Sequence, residues 1–196
     1  MKTRPIRRTS GFTLIELLVV ISIIAVLAGG GFAAGNAAIQ KAKRTTAMAT
    51  CIALELAVNN FYTEYGTMPR ENLTTDSDVN TRTDGLALLN VLLGTETGST
   101  PLNPRKIKFL TVKQAKNRKD GLVYDPTGRT LESLVDPWGG PFFVRLDGDY
   151  DERVDPKPAA SPRTVLNGKR SAVWSNGADA APTGSGGKAT DDVKTW

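Results

Sequence analysis

The chain has 196 residues, room for one modest domain once an N-terminal targeting segment is set aside. With no histidine and one cysteine, Cys51, it lacks the commonest general base, the Ser-His and Cys-His nucleophile pairs, any intramolecular disulfide and any cysteine-based metal cluster. The formal net charge of +5 does not point to nucleic acid, because Lys2, Arg4, Arg7 and Arg8 precede Gly11 with no acid among them, and the rest of the chain carries about +1.

Residues 1–11 are basic, and an apolar run begins at Phe12. Glu16 is the only charged residue between Phe12 and Ile39. A secretory signal has a shorter apolar region followed by an Ala-x-Ala-like site. Here about 20 residues, Phe12–Phe32, are long enough to cross the ~30 Å hydrocarbon layer as a helix. The leader's charges would stay on the cytoplasmic side, with the rest of the chain beyond the membrane. Gly29-Gly30-Gly31 interrupts this run. It reads either as a place to loosen or kink or as a small-residue face for a neighbouring helix.

From Asn36 the sequence is rich in alanine and free of proline as far as Tyr65. Leu54, Val58, Phe61 and Tyr65 follow at steps of four, three and four, the apolar stripe of a helix that needs a cover. Cys51 lies in the same stretch and is expected to be buried. Gly66 followed by Pro69 is a stop signal.

Residues 70–100 read as a polar loop with a short helix at "GLALLNVLLG". Segments 107–113 and 121–124 alternate weakly, as strands do. The run Arg105–Lys119 reads as a solvated basic face, without the interleaved aromatics of a single-strand binder. Phe142–Leu146 is a strand after a turn and before an acidic loop. "SAVWSNGAD" is a second strand ending in a turn. The tail has the composition of a linker, yet its final Trp196 predicts that it folds back and is anchored. The expected fold is α+β, with one long N-terminal helix, transmembrane in its first half, packed on a small antiparallel sheet.

At "GFTLIE", Gly11–Glu16, the sequence resembles the leader and N-terminal helix of type IV pilins and their type II secretion relatives. The resemblance implies that a membrane prepilin peptidase cuts after Gly11 and methylates the new N-terminal residue, Phe12. Glu16 becomes the fifth residue of the mature chain. An ionised carboxylate costs about 2.5–3.5 kcal/mol in mid-membrane, so such residues have partners. In a filament the freed α-amino group of Phe12 on a neighbouring subunit is that partner, which makes Glu16 an assembly residue rather than a catalyst.

Further along, "FYTEYGTMP" at 61–69, "DGLALL" at 84–89, "DPWGGPF" at 136–142 and "VWSNGAD…GSGG…DDVKTW" at 173–196 resemble, in order, segments of major pseudopilins of type II secretion. That resemblance implies a C-terminal calcium loop. Asp179 and Asp192 carry over as its carboxylates, with Ser175 and carbonyls near Trp174 as further ligands and Asp191 as an extra acid. Gly184, Gly186 and Gly187 would let the chain curl around the ion. A competing loop has Asp147, Asp149, Asp151 and Asp155 at positions 1, 3, 5 and 9 of an EF-hand-like pattern. With Glu152 at position six and Pro158 at position twelve it is not an EF-hand, and it remains a looser calcium loop or a solvated turn. Departures from the family pattern are Ala33 where many members have proline, a long 90–135 stretch, and "VKTW" at the end.

The organisation read from the sequence is a leader at 1–11, a membrane and assembly helix at 12–35 and its soluble half at 36–66. A variable loop region at 67–135 and a sheet with the C-terminal loop at 136–196 complete it. The implied function is that of a non-enzymatic subunit of a periplasmic filament. It is anchored by one pass in the inner membrane, with its head in the periplasm. Implied partners are further copies of itself, the peptidase and methyltransferase, minor pseudopilins and the inner-membrane assembly platform. The alternatives are a type IV pilus major or minor pilin, which would need no C-terminal Asp/Trp loop, and a membrane-anchored binding module. A carboxylate hydrolase built on Asp147 or Asp151 has no signature beyond clustered acids.

Overall fold

A computed structural model of the chain describes residues 11–156, 165–181 and 191–196, apart from the side chains of 30–34. The chain divides into two compact units, Met1–Lys41 and Ala42–Trp196. Helix α1 (Leu14–Tyr65) runs through Gly29-Gly30-Gly31 without a break, so the triplet does not interrupt it. Among the described residues no helix is long and apolar enough to cross a membrane. The apolar side chains described there run from Leu14 to Gly29, about 24 Å of helix against the ~30 Å required. The membrane span read at Phe12–Phe32 extends past them into 30–34.

In the second unit α1 buries Leu54, Val58 and Phe61 of the stripe expected from the spacing, together with Ala47 and Cys51, while Tyr65 is half-buried. Burial, reinforced by the Asp136 and Glu55 carboxylates, pushes the Cys51 thiol up, so it is held as an inert thiol. Gly66 ends the helix in the left-handed region (φ 72°), with its N–H on the Tyr62 carbonyl at 2.7 Å.

The strands are β1 (Ser77–Asn80), β2 (Gly121–Tyr124), β3 (Leu131–Val135), β4 (Phe142–Leu146), β5 (Arg153–Val154), β6 (Leu166–Asn167), β7 (Ser171–Ser175) and β8 (Val193–Lys194). A short helix α2 (Leu86–Leu93) follows β1. The main sheet is antiparallel in the order β1-β4-β7-β8, with two-stranded pairs β2-β3 and β5-β6 beside it. Phe142, Val144 and Leu146 of β4 share one hydrophobic cluster with the α1 stripe, Leu134, Val173 and Val193. Between them Phe143 points to the other face and stacks on Trp174 at 5.4 Å. Buried Thr81 joins the sheets: its hydroxyl donates to the Leu134 carbonyl and accepts the Phe142 N–H.

Two readings of the 67–135 span change. The polar stretch before the expected short helix holds a strand as well as loop, because β1 is the edge strand of the main sheet and pairs Ser77–Asn80 with Phe143–Leu146. Residues 121–124 form a strand, but 107–113 do not. The N–H groups of Phe109 and Leu110 both donate to the Leu92 carbonyl at 2.9 Å, so they complete the end of α2 instead of a ladder. Buried Asn103 holds this segment by its side chain, donating to the carbonyls of Val91 and Ile107 and accepting from the Tyr65 hydroxyl and the Ile107 N–H.

Candidate functional site

The N-terminal site is built on local bonding. Thr13 precedes the first residue of α1, and its Oγ1 accepts the Glu16 N–H at 3.3 Å. Glu16 Oε2 reaches back to the Thr13 N–H at 2.9 Å and accepts the Thr13 hydroxyl at 2.7 Å. This reciprocal pair is a capping box, which satisfies donors that a helix start otherwise leaves open. Its signature, Thr-x-x-Glu before an apolar run, stands in "TLIE". Every described residue from Gly11 to Gly29 is exposed, including Phe12, Leu14, Ile15 and Leu18. Gly11 and Phe12 precede the helix, with no neighbour to a Cβ built on Gly11.

At the C-terminus, Asp136 of "DPWGGP" organises the neighbourhood. The residue is buried, and its Oδ1 accepts the N–H groups of Trp138, Gly139 and Gly140 at 2.8–2.9 Å. Its Oδ2 takes the hydroxyl of Ser175 at 2.6 Å, and that hydroxyl oxygen accepts the Gly177 N–H at 3.1 Å. Ser175 therefore ties two motifs together. The tail returns as expected: β8 pairs with β7, Trp196 meets Trp174 edge-on at 5.9 Å, and the Arg44 guanidinium donates to the Asp192 carbonyl at 3.2 Å.

Asp179 sits in a single 3-10 turn (Gly177–Asp179), its N–H on Asp191 Oδ2 at 3.1 Å, and its own Oδ1 accepts the Ala181 N–H. Asp192 is buried. Gly177, at φ 70°, lies so close to the Asp191 carbonyl that a Cβ would come within 2.2 Å of it. Asp191 Oδ1 and Asn176 Oδ1 are buried and accept no hydrogen bond among the described residues. Orphaned hard oxygens are what a cation would satisfy, but Asp179, Asp191 and Asp192 do not form a converging group of three carboxylates among the described residues. Asn176 was not singled out from the sequence. Gly184, Gly186 and Gly187 lie outside the described residues.

The acidic loop after β4 gathers differently from its reading. Carboxylate oxygens of Asp147, Asp149 and Asp76 all lie within 4.8 Å of one another. Asp151 and Asp155 are not in that group, and Asp151 instead accepts the Arg153 N–H. Asp76, from before β1, enters because the loop packs against it. A Cβ on Gly148 would meet the Thr75 carbonyl at 2.0 Å. Burial raises the Asp147 carboxyl and the Asp149 carboxylate adds to it, while N–H groups of Glu152 and Asp151 oppose the shift. Arg145 faces the group, 3.5 Å from Asp76 and 3.0 Å from Asp78, so a protein cation already balances part of its charge.

Residues 6–32 match the family model of the prokaryotic N-terminal methylation motif. The N-terminal segment is a prepilin-type, type IV pilin-like leader. Such a prepilin leader implies processing by a prepilin peptidase and assembly of the product into a pilus-like filament. The match spans the expected cleavage position at Gly11/Phe12, Glu16 and the apolar run, and stops before the head. Comparison of the chain with curated proteins and with solved structures yielded no match.

Proposed function

We propose that the chain is a structural, non-enzymatic subunit of a type II secretion-like pseudopilus. Cleavage between Gly11 and Phe12 and methylation of Phe12 convert a membrane-anchored precursor into a polymerising subunit. The filament grows from the inner membrane with its heads in the periplasm and supports export of folded proteins. Its partners are copies of itself, the peptidase and methyltransferase, minor pseudopilins and the assembly platform.

The observation that carries the filament-subunit part of this reading, common to pilus and secretion subunits, is the placement of Glu16. It lies four residues beyond Phe12 in an exposed, largely apolar stretch of the helix, with its carboxylate directed by Thr13 toward the helix start where Phe12 lies. While the leader is attached, the Phe12 nitrogen is a neutral amide. Cleavage makes it a cation, and a carboxylate already aimed at the helix start becomes its counter-charge. The pair forms between subunits only in one register, so it selects correct packing.

In the head, calcium joins the returning tail to the 3-10 turn through Asp179, Asp191, Asp192 and Asn176. Orphaned oxygens of Asn176 and Asp191 support this site; the rival Asp76–Asp147–Asp149 group also holds an orphaned oxygen, on Asp76, but has the Arg145 cation beside it.

The test uses the full chain in membranes with its peptidase. Glu16→Ala and Glu16→Gln are expected to be cleaved normally, to keep the head's melting temperature and to lose filament formation. Filaments of normal length from Glu16→Ala would overturn the reading and favour the anchored binding module.

A further inference from the structure

The head carries opposite charge at the two ends of its central strand. Beside the start of β4 stands the tip Lys116–Lys119, a two-residue turn closed by reciprocal backbone bonds at 3.1 Å. It is tied to that end through the Asp120 N–H on the Asp136 carbonyl and by Lys119 lying over Gly139. All four tip residues are exposed. Arg118 pairs with Glu132, whereas Lys116 and Lys119 make no ion pair among the described residues. Asn117 and Arg118 have φ 52° and 56°, the pattern of a type I′ turn. Such turns favour glycine at the second central position, and here a full guanidinium side chain occupies it. The result is a short, rigid, basic projection.

The other end of β4 runs into the loop 147–152. Asp149, Asp151 and Glu152 are exposed, and Tyr150 and Glu152 are also left-handed (φ 60° and 57°). Glu152 is paired with Arg170, but Asp149 and Asp151 make no ion pair among the described residues. The five residues of β4 separate the two ends by about 17 Å at ~3.3 Å per residue. That exceeds the ~8 Å screening length of physiological salt, so the two ends cannot neutralise each other within one head.

We propose that these ends meet between subunits: the basic tip of one copy docks on the acidic loop of the next. The two surfaces differ, so the contact is head-to-tail and does not close on a two-fold axis. Repetition of such a contact, where its rotation does not close a ring, builds an open filament. Its charges set register and orientation, while apolar helix burial supplies most of the affinity. This inference rests on the filament reading and adds which head surfaces touch.

The experiment is cross-linking of the full chain in membranes with a short bis-maleimide, Cys51 being buried. Lys119→Cys combined with Asp149→Cys should give a ladder of covalent oligomers, and either single variant only monomers. Adding Lys116→Glu should cut the ladder several-fold, and Asp151→Lys on top of it should restore most of the yield. Each variant is accompanied by the head's melting curve, which stays at wild type. A monomer-only pattern from the double variant, or dimers from a single one, would overturn the contact. The filament reading stands or falls separately on Glu16→Ala.

Discussion

The two stretches of α1 share one backbone and differ in everything around it. From Leu14 to Gly29 the side chains, Glu16 and Ser22 apart, are apolar on all sides, and all are exposed; Leu14 is 87% exposed and Phe12, two residues before it, 77%. From Ala47 to Phe61 one stripe, Ala47, Cys51, Leu54, Val58 and Phe61, is buried against the head, while the other side carries exposed Met48, Ile52 and Leu56 beside polar residues such as Asn60. A helix apolar all round has no face meant for water, whereas a striped helix has one face for a core and one for solvent. Secondary structure therefore says little about environment here. The distribution of polar residues around the helix says most of it: the first stretch is apolar without a stripe, and the second buries one stripe in the head.

The contrast can be broken most forcefully in the core. Phe61→Ala is expected to cost the head about 3–5 kcal/mol. Leu18→Ala, an equally apolar truncation in the exposed stretch, should leave the head's thermal unfolding unchanged while weakening membrane association. Equal losses from both would show that the first stretch also packs on the head.

Next in size is Asp136, whose carboxylate accepts three backbone N–H groups and the Ser175 hydroxyl. Asp136→Ala should cost about 2–3 kcal/mol by leaving buried donors unpaired, and Asp136→Asn less, because one acceptor oxygen remains. Chemical denaturation of the full chain in detergent would measure both. Indistinguishable midpoints would remove the role assigned to this turn.

The smallest effect sharpens the picture of the tail. At tenfold excess over its Kd, calcium should stabilise the head by about 1.4 kcal/mol, a shift of a few degrees in Tm. Asn176→Ala and Asp191→Ala should each abolish the shift, and Asp149→Ala should not. Loss only in Asp149→Ala would move the ion to the acidic loop.

Several features were legible from the chain alone because they depend on neighbours in sequence. The stripe Leu54, Val58, Phe61 follows from helical spacing, the stop at Gly66 from its left-handed conformation, and strand Phe142–Leu146 from its composition between turns. The leader motif is also local, and the family match at 6–32 covers the same residues. Burial of Cys51 and the return of Trp196 were anticipated on the same grounds. The Thr13–Glu16 box was equally local and went unread, since its four residues also serve a more specific motif.

What the sequence could determine by itself is thus the helix, its two characters, the leader and the approximate strands, all encoded over a few residues or a short period. Tertiary structure alone decided that Asp76 joins Asp147 and Asp149, that Asp136 holds Ser175, and that 107–113 completes a helix end instead of a strand. Ser175 lies 39 positions from Asp136, and only the register of β4 against β7 brings them together. Such meetings have no periodic trace in the chain, because they are set by how sheet and helix bury a shared core and by which backbone groups remain to be satisfied.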